Sequence, residues 1–243
     1  MPHFFVKSEN VNNNTISVND IENYRHIARA LRARKGEKLL LIDENQIQYE
    51  TVIEEITPNN ILCRIVNSYP SKRDLDFDLF LAQSPLRSDS QLTVMEKATE
   101  LGARGIYPVL TDNCAVNKSV AEKKLDKWQK VMYEASKQCE RAKVPTCYNV
   151  TTLDEVLNEN FDKILVFAER STEISLKQFL AKNPIKKGER VLVIIGPEGG
   201  FSQKEFDFFR AKKLPLITLG ELILKAETAV ITALGDIIYE YQG

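Results

Sequence analysis

Apolar positions along this chain fall into two textures. Up to Ser68 they come in short strand-like runs separated by turn formers: His3–Val6, Thr15–Val18, Lys38–Asp43, Gln46–Glu55 and Ile61–Ser68. Turn formers separate the last three runs, Asp43-Glu44-Asn45 and Pro58-Asn59-Asn60, and Asp20 is placed to cap a helix reaching to about Leu31. Strands joined by tight turns around one helix predict a small β-barrel. It is expected to end in the polar, proline-containing stretch Tyr69-Pro70-Ser71-Lys72-Arg73.

From Asp76 onward, strand-like and helix-like runs alternate. Phe77–Gln83, Gly105–Leu110, Ile164–Ala168, Val191–Ile195 and Leu216–Leu219 read as strands. Ser88-Asp89-Ser90-Gln91 has the spacing of a capping box that opens a helix through Leu101, closed by Gly102. A long helix is expected from about Val120 to Arg141, with Leu125, Trp128, Val131, Met132 and Ala135 on its apolar side. Shorter helices follow at Thr152-Leu153-Asp154-Glu155 and around Ile174–Leu180. Another carries Phe206, Phe209 and Arg210, and a last one from about Ala226 buries Val230, Leu234, Ile237 and Tyr241. Such alternation predicts an α/β unit whose parallel sheet is covered on both faces.

Val191–Ile195 stops at Gly196-Pro197-Glu198-Gly199-Gly200. Five aliphatic residues in succession predict burial on both strand faces, and the glycines permit backbone angles closed to other residues. Ser202 and Glu205, spaced S-x-x-E, then open a helix. Strand, glycine loop and helix form the edge of an α/β sheet where ligands sit, although the same turn also serves simply to reverse a chain. Neither the P-loop nor the G-x-G-x-x-G fingerprint is present. The negative Glu198 disfavours a pyrophosphate in this loop, so a neutral or cationic cofactor fits better.

Charge adds a second candidate region. The 243 residues carry a formal net charge of -1, so nucleic-acid binding requires a local basic patch. Between Arg25 and Lys38 stand Arg25, Arg29, Arg32, Arg34, Lys35 and Lys38 against Glu37 alone. Arg25, Arg29 and Arg32, at i, i+4 and i+7, share a helical face, with Ile27, Ala30 and Leu31 directed inward. A charge run is commonly just a solvated face. The scarcity of nearby acids favours phosphate binding, for which guanidinium forks are suited. His26 reads as a packing or capping residue.

Cys63, Cys114, Cys139 and Cys147 lack C-x-x-C spacing, and His3 and His26 are too few for a histidine metal site, so no metal is expected. No apolar leader and no run of membrane-spanning length is visible, which points to a reduced, cytoplasmic protein without membrane contact. Three further clusters stand out. Glu96–Gly102 is best read as ion pairs on a solvated helix. In Glu134–Arg141, Gln138 and Arg141 lie one turn apart, suited to a base edge and a phosphate, while Arg141 also complements a helix carboxyl end. Leu219–Ala229 empties an apolar loop into a helix with Glu227 in its first turn. There Leu219, Ile223 and Leu224 can wall an adenine ring opposite the glycine loop.

Met1-Pro2-His3-Phe4-Phe5-Val6, His26–Arg32, Glu96–Gly102, Glu134–Arg141 with Pro145, Gly196–Ser202 and Leu219–Ala229 occur here in one order. In this the chain resembles the RsmE-type methyltransferases, over nearly its whole length. The pair G-P-E-G-G-F and L-G-x-x-I-L-K-A-E-T-A is the most specific part of the match. The resemblance implies a PUA-like β-barrel over residues 1–72 and a SPOUT α/β domain with a trefoil knot over 73–243. It implies a homodimer that uses S-adenosylmethionine, releases S-adenosylhomocysteine and methylates N-3 of a uridine in 16S rRNA of the small ribosomal subunit.

On that reading Phe167, Ala168, Gly196, Pro197, Glu198, Gly199, Gly200, Leu219, Gly220, Ile223 and Leu224 hold the cofactor. Arg141 and Glu198 are the catalytic candidates, while Arg25, Arg29, Arg32, Arg34, Gln138 and Lys225 contact RNA. Lys225 and His3 stand where the family commonly has arginine, and a lysine cannot reproduce a bidentate fork. Two alternatives stay open: methylation of another RNA site, such as a ribose hydroxyl, and a non-catalytic RNA-binding ribosome-assembly protein.

Overall fold

Local hydrogen bonding explains most of the element boundaries in the computed structural model, which describes residues 3–71, 74–169 and 174–241. Met1 and Pro2, and Lys72 and Arg73 of the expected linker, lie outside the described residues. The chain forms two compact units. One comprises Met1–Asp74 with Ser136–Lys143, the other Leu75–Ala135 with Val144–Gly243.

The first unit holds β1 (His3–Phe5), β2 (Val11–Asn12), β3 (Thr15–Val18), β4 (Lys38–Ile42), β5 (Ile47–Thr57) and β6 (Asn60–Pro70), in the sheet order β1-β4-β5-β6-β3-β2. All pairs are antiparallel except β1 with β4. Register shifts at Glu50/Thr51 and Ile53/Glu55 bend β5, which lets the sheet curl around Phe4, Ile16, Leu41, Ile53 and Ile61. β6 continues through Tyr69 and Pro70, which pair with Gln48 and Ile47, so the strand extends into the stretch expected to be linker.

Asp20 caps α1 (Ile21–Tyr24) by accepting from the Asn23 amide at 2.8 Å. The chain then widens into a π turn over Arg25–Ala30, marked by the Leu31 N–H to His26 carbonyl bond of 2.9 Å. That wider turn alters the expected helical face. Ile27 is buried, but Ala30 and Leu31 are exposed, and Arg32 lies beyond the helix at φ 51°.

The second unit is built on β7 (Asp78–Gln83), β8 (Gly105–Leu110), β9 (Thr146–Cys147), β10 (Thr151–Thr152), β11 (Lys163–Phe167), β12 (Ile174–Ser175), β13 (Arg190–Ile195) and β14 (Leu216–Thr218). Their order is β10-β8-β7-β13-β11-β14-β12, with β9 also on β8, and every pair is parallel. Alternate residues of β13 enter separate cores. Val191, Val193 and Ile195 face one, Leu192 and Ile194 the other.

The helices are α2 (Ser88–Glu100), α3 (Lys118–Glu122), α4 (Leu125–Gln138), α5 (Leu153–Leu157), α6 (Leu176–Lys182), α7 (Gln203–Ala211) and α8 (Ala226–Tyr241). α2, α4, α6 and α8 cover the first face through residues such as Met95, Trp128, Leu180 and Leu234, while α5 and α7 cover the second through Val156 and Phe209.

Two details differ from the sequence expectation. The helix expected over Val120–Arg141 is two helices, interrupted after α3 and ended beyond Gln138, where Glu140 turns to φ 57°. The capping box at Ser88 does not form: Arg87 is the cap residue, and Gln91 Oε1 accepts instead from the Leu86 amide at 2.7 Å. Ser88–Gln91 therefore spends its polar groups on longer-range contacts. The carboxyl end of α2 does follow expectation, since Gly102 at φ 83° closes a paired 6→1 and 5→2 turn through Ala103–Ala98 and Gly102–Thr99. No helix among the described residues is long and apolar enough to cross a membrane, and no group of metal-ligating side chains is found among them.

Candidate active site

β11 and β13 are neighbours, yet their outgoing connections lead to opposite faces of the sheet. β11 leads through β12 to α6 on the first face, and β13 leads to α7 on the second. A crevice must open between their carboxyl ends, and in open α/β sheets ligands bind at such a switch point. A cavity of about 500 Å³ lies there, in the size range of small-ligand sites.

The glycine loop after β13 forms one side. A turn closes it through the Gly200 amide to the Pro197 carbonyl at 2.9 Å, with Gly200 at φ 67°, where glycine is favoured. Neighbouring loops brace it. The Arg87 amide donates to Glu198 Oε1 at 3.2 Å, and Asn113 Nδ2 donates to the Gly199 and Gly200 carbonyls at 3.3 and 3.1 Å. The Ser202–Glu205 capping box forms as expected, and the largely buried Glu205 also accepts from the Asp112 amide at 2.9 Å. The loop is thus braced from outside by the Arg87 amide and the Asn113 side chain.

The opposite side is the loop after β14. Thr218 Oγ1 accepts from the Gly220 amide at 3.0 Å and donates to the Gly220 carbonyl at 2.7 Å, folding the loop back on itself with Gly220 at φ 133°. Leu219, Leu222, Ile223 and Leu224 line the cavity with Ile195 and Ile217, and Leu222 and Ile223 remain 82% and 64% exposed at its rim. Phe167, Ala168 and Glu169, after β11, make a third wall. Ser90 of α2 and Glu227 of α8 complete it, joined at 3.3 Å from Ser90 Oγ to Glu227 Oε1.

Of the residues expected to hold a cofactor, Phe167, Ala168, Gly196, Pro197, Glu198, Gly200, Leu219, Gly220, Ile223 and Leu224 line this one cavity. Gly199 does not. It backs onto Asn113, whose Cβ would lie 3.1 Å from a Cβ at residue 199. Lys225, expected at RNA, also lines the cavity, just ahead of α8, where its carbonyl accepts from the Ala229 amide at 2.8 Å. The sequence reading missed Ser90, Arg87 and Asn113. Only Ser90 carried a signal, as a hydroxyl in a capping-box pattern that the fold uses otherwise.

The remaining candidates fall in the first unit. Arg25, Arg29, Arg32 and Arg34 are all exposed, and none forms an ion pair among the described residues. Gln138 and Arg141 do not project together. The helix ends between them, Gln138 is exposed, and Arg141 is buried with Nη2 3.0 Å from Asp74 Oδ1. Its guanidinium is thus committed to a carboxylate within the first unit and does not line the cavity. On α2, Lys97 Nζ sits 2.8 Å from both Glu96 and Glu100, hydrogen bonds that hold its ammonium well above the usual lysine range, as expected of a solvated ion-pair cluster.

Comparison with known proteins agrees with this geometry. A family profile described as an RNA methyltransferase domain matches residues 73–238, and one described as an RNA methyltransferase PUA domain matches residues 18–66. The Bacillus subtilis protein named ribosomal RNA small subunit methyltransferase E is 26% identical over 90% of this chain and 88% of its own. Its namesake from Buchnera aphidicola subsp. Schizaphis graminum is 28% identical over 96% and 94%. A Legionella pneumophila structure, described as a methyltransferase with the bound cofactor SAM, is similar at a TM-score of 0.84 and 26% identity, over 98% of this chain and 97% of that one. The first profile spans the sheet, its switch-point cavity and both loops that wall it, and on that match the chain belongs to the RNA methyltransferase family.

Proposed function

We propose that this protein is an S-adenosylmethionine-dependent methyltransferase acting on N-3 of a uridine in 16S rRNA of the small ribosomal subunit, a substrate met in the cytoplasm. The cavity at the β11/β13 switch point carries the reading, together with relatives named for small-subunit rRNA methylation. Its residues fit the cofactor. Apolar walls from Ile217, Leu219, Ile223 and Leu224 suit a neutral adenine, and the backbone of Gly196 and Glu198 offers donors and acceptors to polar groups. The carboxylates of Glu169 and Glu198 suit a cation, and Lys225 suits the methionine carboxylate. When bound, the cofactor supplies a methyl group activated by its sulfonium.

The chain's own residues then have three tasks. N-3 is on the pairing edge of uracil, so the base must be unpaired or flipped out to reach the cavity. The exposed rim of Leu222 and Ile223 excludes water around it. As N-3 bonds to the methyl carbon, its imide proton must leave. We assign the acceptor as Glu198, whose carboxylate lines the cavity and is oriented by the Arg87 amide. The unpaired guanidiniums of Arg25, Arg29, Arg32 and Arg34 are assigned to RNA phosphates. The knotted threading implied by the resemblance is part of the same proposal.

So is a homodimer. Ile231, Gly235 and Tyr239 recur every four residues on the outward face of α8, with Tyr239 87% exposed and open space at Gly235, which suits a second copy of this chain. A chain that sediments as a monomer at micromolar concentration would remove the dimer.

The reaction is tested with labelled cofactor and small subunits that lack the modification, followed by digestion and identification of the labelled nucleoside. Label in 3-methyluridine is expected. Label in a 2'-O-methylated nucleoside would replace the target while keeping the enzyme class, and absence of label with folded protein would discard the reading.

A further inference from the structure

The carboxylates that line the cavity differ in how far they are already committed. Glu198 accepts from the Arg87 amide at 3.2 Å. Glu227 accepts from Ser90 Oγ at 3.3 Å and stands in the first turn of α8, where the positive end of the helix dipole offsets its charge. Glu169 has neither arrangement. Among the described residues its carboxylate joins no hydrogen bond and no ion pair. It is nonetheless placed closely, because a side chain at residue 200 would bring its Cβ to 2.8 Å from Glu169 Oε1. The bare α-carbon of Gly200, at φ 67°, leaves the room in which this carboxylate stands beside the glycine loop.

We propose that Glu169 is the residue by which the cavity distinguishes the positively charged methyl donor from its product, whose sulfur is neutral. The inference rests on the cofactor reading above and deepens it. Donor and product differ by one methyl group and one positive charge, so apolar walls and backbone hydrogen bonds hold both almost alike. A missing methyl in an apolar pocket changes affinity only modestly. Preference for the cation must come from an anion near it, and Glu169 stands exposed beside the glycine loop, where its attraction for a cation is open to screening by salt. Among the described residues lining it, Glu169, Glu198 and Glu227 stand against Lys225, and of these three carboxylates Glu169 alone joins no hydrogen bond or ion pair. Methyl transfer then removes the attraction at the moment the product forms, which favours release and exchange for fresh donor.

Calorimetric binding tests this without turnover. The ligands are S-adenosylmethionine, S-adenosylhomocysteine and an analogue with a protonated amine in place of the sulfonium. The wild-type chain should bind the two cations about tenfold more tightly than the product. Glu169→Gln should bring all three within about twofold, by weakening the cations and leaving the product unchanged, whereas Glu227→Gln should keep the preference. In the wild type, raising the salt should narrow the gap. A wild-type chain without preference, or a preference abolished by Glu227→Gln and kept by Glu169→Gln, overturns the inference. Folded wild-type protein that binds none of the three ligands instead overturns the cofactor reading beneath it.

Discussion

In the first unit β6 buries Ile61 and Cys63 while Arg64 and Val66 face solvent; in the second, β13 buries every residue from Val191 to Ile195. A sheet curled around one core keeps an outer face open to solvent, while the exposed arginines Arg25, Arg29, Arg32 and Arg34 stand on the π turn and the loop that follows it. A parallel sheet covered on both faces has no such surface. Its polar chemistry is displaced to the ends of the strands, where glycine-containing loops present backbone. The first unit thus leaves charged side chains in solvent, and the second gathers its lining residues into a cavity between two loops.

The largest expected effects come from the cores. Leu192→Ala in β13 and Ile16→Ala in β3 remove fully buried side chains, each costing about 2–5 kcal/mol. Two thiols report on the units separately. Burial pushes the Cys63 thiol up to about 11 and the Cys147 thiol up to about 12, so both react slowly with thiol reagents at neutral pH while folded. In a denaturant titration, Leu192→Ala should bring Cys147 labelling to lower denaturant and leave Cys63 in place, and Ile16→Ala should do the reverse. Labelling of both thiols at one common midpoint in every variant would show that the units unfold as one.

A smaller effect separates surface charge from cavity charge. Reversing Arg25 and Arg29 to glutamate should weaken RNA binding and lower the slope of log affinity against log salt by about 2. Lys225→Gln should leave that slope unchanged, because Lys225 lines the cavity. Equal slopes for the reversal variant and the wild type would leave the arginines as a solvated face.

The smallest effect concerns acid. The Ser8 hydroxyl holds Glu44 below the usual carboxylate value of 4.5 in the first unit, and the Lys163 ammonium does the same for Glu189 in the second. A carboxylate with a depressed folded value contributes stability above its unfolded value and loses it as pH falls through the folded one. Both effects therefore lie below about pH 4.5 and are small at these exposed positions. The single tryptophan, Trp128, is buried in the second unit and reports on it. Lys163→Gln should flatten the acid limb of its fluorescence, and Ser8→Ala should leave it unaltered.

What the sequence by itself determined lies within a few residues along the chain. The capping boxes at Thr152–Glu155 and Ser202–Glu205, the closing turn at Gly102, the double-sided burial of Val191–Ile195 and the two loops of the cavity all depend on local hydrogen bonding or on apolar period. Tertiary structure decided what local spacing leaves degenerate. Ser88-Asp89-Ser90-Gln91 has a good capping pattern, yet Ser90 turns to Glu227, 137 residues away, and Gln91 reaches back to Leu86. Arg141 finds Asp74 at a separation of 67 residues, and the Arg87 amide meets Glu198 at 111. The strand order that sets β13 between β7 and β11, and so opens the crevice, belongs to the same class. A periodic pattern states which face of an element is apolar but not which other element covers it, and a polar side chain with several possible partners settles on one only when packing has fixed their distances.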